Sequence, residues 1–168
     1  MSELIVVGID GSAESAAALA YASMDAARRS ARVRVVSVNQ MPEYWAMPNA
    51  MAPPSMPMKP VDLVSVAQKA AQKAVDAFAA NHPELAKQVE MEIVAVSGHP
   101  ATELVEQSRE ADLLVVGHRG RGAIASTFMG SVGLNCVLHA HCPVTVVRPT
   151  SAVEQVTATS GTAALSAV

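Results

Sequence analysis

Two short runs of apolar residues constrain the fold of this chain more than any other feature. Leu4–Ile9 and Leu113–Gly117 are too short for typical helices, and neither alternates apolar with polar residues. Continuous apolar runs of this length are typical of strands buried on both faces, as in parallel sheets covered by helices. Three further β-rich segments, at Arg32–Val38, Val89–Val96 and Val144–Arg148, bring the predicted number of strands to five.

Helical patterns separate these five segments along the chain. Ser12 can cap a helix from Ala13 to about Arg29, and apolar residues at 3–4 spacing predict a second helix at about 61–80. A third pattern begins at Pro100 and ends near residue 110, and a fourth begins at Gly130. Strands that alternate with helices favour right-handed βαβ crossovers. The sequence therefore predicts an α/β fold with an open, doubly wound, mostly parallel sheet that carries helices on both faces.

Composition restricts the class of protein. The 168 residues are 51% apolar and 16% charged, as in a globular domain, and a net charge of −3 provides no basic surface for nucleic acid. We expect no membrane association, because no apolar run approaches the ~20 residues that span a bilayer. The N-terminal residues lack the basic region and cleavage site of a signal peptide, and two cysteines are too few for a disulfide framework. These features predict a cytoplasmic protein.

Two segments differ from the rest in composition. Residues 40–60 contain six prolines and five methionines, a density that disfavours both helix and sheet. This segment could be a lid, a partner-binding surface or only a connection. After Pro149 the chain is rich in serine, threonine and alanine and shows little pattern. We therefore predict one domain over residues 1–149 and a low-complexity, disordered tail over residues 150–168.

A string of glycines, G-x2-G-x9-G-S, follows the fourth predicted strand. Gly117 and Gly120 come directly after the apolar run, and Gly130 and Ser131 open the next helix. Backbone without side chains allows close approach of an anion, and a helix start presents free N–H groups and the positive end of the helix dipole. Ligands of open parallel sheets bind beyond the carboxyl ends of the strands, so Asp10 after the first strand should lie near this string. The pattern predicts a phosphate cradle beside a carboxylate that can bind hydroxyl or amino groups.

In these motifs the chain resembles the ATP-binding kind of universal stress protein. The resemblance covers about residues 4–149 and is carried by VVGIDGS, DLLVVGHRGRG, GSV and HCPVTVVRP. It implies a five-stranded sheet in the order 3-2-1-4-5 and a homodimer joined through the last strand, Val144–Arg148. It also implies that adenine lies near Asp10 and Val38, with the phosphates over Gly120 to Val132. The implied ATP contacts are Ile9, Asp10, Val38, Val116, Gly117, Gly120, Gly130, Ser131 and Val132.

The residues that phosphoryl transfer requires are largely missing. The Walker pattern G-x4-G-K-[S/T] is absent, no acidic residue lies between His118 and Leu138, and Asp10 is expected at the adenosine end. We therefore interpret the chain as a nucleotide-dependent regulatory protein of the stress response. It would bind ATP or a related adenine nucleotide, with or without Mg²⁺, and act through an unidentified protein partner. Two alternatives stay open: a slow ATPase or autophosphorylating phosphotransferase, and a dimeric scaffold that uses no nucleotide.

Several of these residues also have purely structural interpretations. The glycines could only shape tight turns, Asp10 could form an Asx turn, and Ser131 could be an ordinary first-turn serine. A segment rich in cysteine and histidine, residues 136–142, matches no usual zinc spacing, so we expect no metal site there. His118 could bind phosphate but is expected to be a solvated loop residue. The tail could cover the edge of the last strand instead of a second chain.

Overall fold

A parallel sheet forms the centre of the molecule. The computed structural model describes residues 2–40, 63–120 and 129–149. These residues form five parallel strands in the order β3-β2-β1-β4-β5. The strands are β1 (Leu4–Ile9), β2 (Arg32–Asn39), β3 (Met91–Ser97), β4 (Leu113–Gly117) and β5 (Val144–Val147). The predicted α/β class and the predicted strand order are both confirmed.

Helices cover both faces of this sheet. They are α1 (Ala13–Arg29), α2 (Leu63–Asn81), α3 (Pro83–Gln88), α4 (Pro100–Gln107) and α5 (Ser131–His139). Buried residues of α1 and α2 pack on one face, where Phe78 and Leu19 belong to the same cluster as Val7 and Val35. Leu104 of α4 and Cys136 of α5 pack on the other face. The sheet is therefore doubly wound, with a hydrophobic core on each side.

Helix α1 shows how directly the sequence determines an element. Ser12 is its N-cap, and the Ser12 side chain accepts a hydrogen bond from the Ser15 amide. Ser30 ends the helix in the left-handed conformation, and its amide bonds to the carbonyl of Ala26. Arg28 and Arg29 lie in the last turn, where positive charge complements the helix dipole. Both ends of α1 are therefore satisfied by local contacts.

The structure corrects several predicted boundaries, and β2 and β3 each continue one residue beyond the prediction, to Asn39 and Ser97. The sequence analysis did not predict α3, and Val89, expected to begin the third strand, instead ends this short helix as its C-cap. The third strand consequently begins at Met91. Helix α4 ends at Gln107 and not near residue 110, because Ser108 turns the chain and its hydroxyl donates to the carbonyl of Val105. The last strand ends one residue before Arg148.

Some predictions fall on residues that the structure does not describe. The proline- and methionine-rich segment from residue 41 onward and the predicted tail, 150–168, lie outside the described ranges, as do the first two residues of the second predicted helix. Within the described ranges, no helix is long and apolar enough to cross a membrane.

Candidate functional site

A cavity of about 570 Å³ opens where β1 and β4 end. These strands are neighbours in the sheet, and the chain leaves them in opposite directions. After β1 it continues into α1 on one face, and after β4 it continues into α5 on the other face. A parallel sheet opens a crevice at such a reversal, and this is where ligands bind in open α/β sheets.

All nine residues that the sequence analysis singled out line this one cavity. They come from four separate places in the chain: the ends of β1, β2 and β4, and the start of α5. The nine are Ile9, Asp10, Val38, Val116, Gly117, Gly120, Gly130, Ser131 and Val132. Their convergence shows that the glycine string and the first turn form a single concave surface.

The sequence analysis missed the contribution of α4 to the cavity wall. Pro100 and Leu104 of this helix line it, together with Val36 of β2. Leu104 is buried against Gly8, where an added Cβ would lie 2.8 Å from Cδ1 of the leucine. Gly8 therefore lets the leucine lie close to β1. With Val38, these side chains give one end of the cavity an apolar surface that suits a flat ring.

Backbone hydrogen bonds join the two described ends of the glycine string. The Gly130 amide donates to the carbonyl of His118 at 2.8 Å, and the His118 amide donates to the carbonyl of Val147 at 2.8 Å. Arg119 also lines the cavity, whereas Arg121 lies outside the described residues. The start of α5 is therefore held against the end of β4, although thirteen residues separate Gly117 from Ser131 in sequence.

Helix α5 begins without a side-chain cap. Gly130 is its N-cap, in an extended conformation with φ −67° and ψ 151°, and no side chain bonds to the first turn. The amides at the start of a helix have no partner within the helix, so those of Ser131, Val132 and Gly133 are available as donors. All three residues line the cavity. This end of the cavity therefore combines N–H donors with the positive end of the helix dipole.

The glycine at position 130 is not required by the backbone. Its φ is ordinary, and an added Cβ would meet its nearest atom, the Cα of Arg119, at 3.5 Å. Gly117 differs, because an added Cβ would lie 3.0 Å from backbone atoms of Glu14 in the first turn of α1. Gly117 thus permits close packing within the protein. Gly130 instead keeps open the space in front of the helix start.

Asp10 forms a turn and also lies at the mouth of the cavity. Its Oδ1 accepts hydrogen bonds from the amide of Ser12 at 2.9 Å and from the Ser12 hydroxyl at 2.5 Å. Its Oδ2 lies beside Gly120, in the loop after β4, where an added Cβ would lie 2.6 Å from that oxygen. The Asx turn considered in the sequence analysis is therefore present. The same side chain places negative charge beside the glycine string.

His118 is not the solvated loop residue that the sequence suggested. Its Nδ1 is buried and has no hydrogen-bond partner among the described residues. The residue is absent from the described lining of the cavity, so its contribution there is made by its backbone. Its carbonyl positions Gly130 and its amide donates to Val147, a structural role that the sequence pattern did not reveal.

The two cysteines are protected thiols. Burial raises the pKa of Cys136 to about 11, and burial also raises the pKa of Cys142. Neither cysteine forms a disulfide. In the described ranges, no group of three or more histidine, cysteine, aspartate or glutamate side chains is placed to hold a metal ion.

Comparison with known proteins agrees with this geometry. Residues 1–148 match the universal stress protein family. A universal stress protein of Mycobacterium tuberculosis is 34% identical over 151 residues, which cover 85% of this chain and 47% of that protein. This chain thus spans about half the length of the curated relatives that it matches.

Solved structures of the family share the fold. UspA of Lactobacillus plantarum is 25% identical, with a TM-score of 0.60, and the match covers 87% of this chain and 97% of that one. A universal stress protein solved in complex with cAMP is 27% identical, with a TM-score of 0.54, and the match covers 89% of this chain and 98% of that one. With the family match over residues 1–148 and the sheet order described above, the conclusion is direct: this chain belongs to the universal stress protein family.

Proposed function

We propose that this chain binds an adenine nucleotide, ATP in particular, in the cavity between β1 and β4. In this proposal, nucleotide binding changes the surface through which the chain binds a protein partner in the stressed cell. One observation supports it above the others. A single cavity has an apolar surface at one end and an uncapped helix start lined by glycine at the other. A nucleotide has the same division between a flat base and charged phosphates.

The apolar end suits adenine. Val36, Val38 and Leu104 provide a surface for a planar ring, and Gly8 keeps that surface close to the strand. Ligand sites are typically apolar with a few placed polar groups, and Asp10 is such a group here. Its carboxylate can accept hydrogen bonds from ribose hydroxyls or from the amino group of a base.

The other end suits phosphate. The first amides of α5 and the absence of a side chain at Gly130 allow phosphate oxygens to approach the helix start. Among the described lining residues, Asp10 is the one carboxylate. Mg²⁺ is typically held by one or two carboxylates together with phosphate oxygens and water. These residues therefore fit a magnesium ion that enters with the nucleotide.

A relative supports adenine nucleotides as the ligand class. The family member at 27% identity was solved in complex with cAMP, which has one phosphate. For this chain we propose a polyphosphate, because Gly120 and the start of α5 bring two groups of backbone amides to the same part of the cavity, where Gly120 N is 3.8 Å from a Cβ added at Gly130. ATP is therefore the ligand that we propose, and the monophosphates are the comparison that tests it.

The cavity is better equipped for binding than for catalysis. Asp10 already accepts two hydrogen bonds from Ser12. No acidic residue lies between His118 and Leu138 to activate a nucleophile or to hold a second metal ion. The proposal is therefore a regulatory binding protein. If the wild-type protein hydrolyses ATP and the rate in a Ser131→Ala variant falls to that of buffer alone, the chain is instead a slow ATPase.

Calorimetric titration of the nucleotide-stripped protein tests the proposal. We expect one site per chain with a micromolar dissociation constant for ATP and Mg²⁺, and weaker binding of AMP and cAMP. Tighter binding of AMP or cAMP would assign the site to a monophosphate. The absence of heat, and of any thermal stabilisation, at millimolar nucleotide would overturn the proposal and favour the nucleotide-free scaffold.

We also propose that two chains pair through β5. This strand lies at the edge of the sheet, with only β4 beside it. The Leu114 amide donates to Pro143, and the His118 amide donates to Val147. Since peptide groups alternate along a strand, the amides of Val144 and Val146 face away from β4. An edge of this kind pairs readily with another strand, and a two-fold axis satisfies both copies at once.

Light scattering coupled to size exclusion tests the dimer. Proline is tolerated as the first residue of a strand, so Val144→Pro should remove an outward amide without disturbing the bonds to β4. We expect the wild-type protein to be a dimer, and we expect the variant dimer to dissociate at a higher protein concentration than the wild-type dimer. A wild-type monomer at all accessible concentrations would overturn this pairing.

A further inference from the structure

A second concave surface lies away from the nucleotide cavity, between α1 and α2. This groove, of about 470 Å³, is formed by the first half of α1, the second half of α2 and Pro149. Alanine is the commonest residue in its wall, with seven of the sixteen lining residues. The lining alanines are Ala13, Ala16, Ala17, Ala20, Ala70, Ala74 and Ala77.

The arrangement of the sheet explains why a groove exists here. Helix α1 packs over β1 and β4, and α2 packs over β2 and β3, so two strand spacings, about 10 Å, separate the helices. Packed helices lie 8–10 Å apart only where side chains fill the gap between them. Alanine is too small to do so. Ala13, Ala16, Ala70 and Ala77 consequently remain exposed along the groove.

The position of Pro149 identifies a candidate occupant. It is the last residue that the structure describes, and it already lines the groove. Val147, two residues earlier, is buried in the core on the same face as α1. The chain therefore leaves β5 on the side of the sheet where the groove lies, and residues 150–168 continue from its wall.

The composition of residues 150–168 complements the groove. The segment consists mainly of alanine, threonine, serine and valine, with Gln155 and Leu165 as its larger uncharged residues, and Glu154 is its only charged residue. Small side chains fit a wall of alanine methyls. The groove has one lysine, Lys73, which is exposed and forms no ion pair with any other described residue. Glu154 follows Pro149 by five residues, a stretch that spans up to about 17 Å when extended.

We infer that residues 150–168 dock in the groove between α1 and α2 of their own chain, with Glu154 paired to Lys73. Docking covers exposed methyl groups of both helices and fixes the spacing between them. It does not depend on the nucleotide proposal, because the groove lies on the α1 face and shares only Ser15 with the nucleotide cavity.

Carbodiimide coupling in the full-length protein tests this docking. The reagent joins a carboxylate to an amine only where the two are in contact, and mass spectrometry locates the bond. We expect a cross-link from Glu154 to Lys73 within single chains, at least ten times as abundant as a cross-link from Glu154 to Lys69. Lys69 is exposed on the same helix but does not line the groove, so it serves as an internal control.

Two tryptophan variants provide a matched control. Ala77 and Ala80 are both exposed on α2, but only Ala77 lines the groove. Ala77→Trp should fill the groove, reduce the cross-link at least tenfold and speed amide exchange in residues 150–168. Ala80→Trp should change neither. Because both side chains are exposed, circular dichroism should show an intact fold in each variant.

Three results would overturn the inference. Comparable cross-linking of Glu154 to Lys69 and Lys73 would mean that the segment has no defined place. Cross-links that join isotope-labelled to unlabelled chains in a mixed sample would mean that the groove receives a second copy. Amides of residues 150–168 that exchange at the rate of an unstructured peptide in the wild-type protein would mean that the groove is not filled by this segment.

Discussion

Helices α1 and α5 both begin beside the cavity at the ends of β1 and β4, yet their first turns are built differently. The start of α1 is closed by its own residues, since Ser12 caps the helix and Asp10 binds Ser12 in turn. The start of α5 has Gly130 at the same position and no side-chain cap. The two helices also differ in burial: α1 buries nine of its residues, and α5 buries only Gly133 and Cys136.

This difference separates stability from binding. A cap contributes about 1 kcal/mol to a helix, and burial of alanine and leucine fixes α1 on the sheet. Helix α5 lacks the contribution of a cap and retains donors that face the cavity. We interpret α1 as the structural wall of the site and α5 as the wall that responds to a ligand.

The largest effect is expected from a charge placed at the start of α5. In Gly130→Asp the carboxylate would cap the helix and raise its stability by about 0.3 kcal/mol, since glycine is itself a tolerated N-cap. The same charge would repel phosphate, and like charges in a binding site cost several kcal/mol. ATP affinity should therefore fall by about 100-fold or more in calorimetric titration, while the melting temperature stays the same or rises.

Gly130→Asn is the matched control, since it caps the helix without the charge. It should retain more affinity than the aspartate variant. Equal affinity of wild-type and Gly130→Asp protein would show that phosphate does not bind at the start of α5.

A methyl group at each of two glycines should have opposite consequences. Gly117→Ala brings the new Cβ within 3.0 Å of backbone atoms of Glu14, so α1 must shift. Overpacking of this kind costs about 1–3 kcal/mol, which urea denaturation can measure. Gly130→Ala, with its nearest contact at 3.5 Å, should leave the free energy of unfolding nearly unchanged. Equal destabilisation in both variants would contradict the distinction between Gly117, which permits close packing within the protein, and Gly130, which leaves space for a ligand.

Removal of a hydroxyl should affect stability at one helix start and not at the other. Ser12→Ala removes the cap of α1 and the bond to Asp10, which should lower the free energy of unfolding by about 1 kcal/mol. Ser131→Ala removes a hydroxyl that caps nothing, so chemical denaturation should give a wild-type value. If Ser131→Ala proved the more destabilising variant, α5 would depend on a cap that the first turn does not show.

The weaker anchorage of α5 should be visible at alkaline pH. Burial raises the pKa of Cys136 to about 11, from an ordinary value of 9.0. The unfolded chain therefore loses this proton first, and the free energy of unfolding should fall as pH rises from about 9 to about 11, by about 2–3 kcal/mol in total. Cys136→Ala should remove this part of the slope, whereas Cys142→Ala, at a half-buried site, should remove less of it. Identical slopes in all three proteins would show that α5 is not held by the Cys136 thiol.

The sequence was sufficient for α1, and for Asp10 and the glycine string at the cavity, for a physical reason, whereas Val38 was identified only through the family resemblance. Helix α1 is long, periodic and locally capped, so each of its signals lies within one stretch of chain. The glycine string and Asp10 follow apolar strands directly, and parallel strands bring their carboxyl ends together. Local chemistry and a simple topological rule therefore locate this part of the site.

Other features could not be predicted because they depend on contacts between distant parts of the chain. Leu104 reaches the cavity only because α4 packs over Gly8, and nothing near either residue in sequence indicates that contact. Helix α3 has six residues and none of them is buried, so it lacks a periodic apolar face. The proline at its first position was the available signal. The role of His118 is carried by its backbone, which a side-chain pattern does not reveal.

The hydrogen bonds of His118 connect the proposed nucleotide site to the strand that is proposed to pair two chains. Its carbonyl receives the amide of Gly130 at the cavity, and its amide donates to Val147 at the end of the edge strand. A ligand that tightens the first contact acts on a residue that also holds β5 in place. If nucleotide binds the paired chains more tightly than the single chain, then the chains must pair more tightly, by the same factor, when nucleotide is bound. The backbone of one histidine thus links the cavity where we propose that a nucleotide binds to the strand through which we propose that two chains pair.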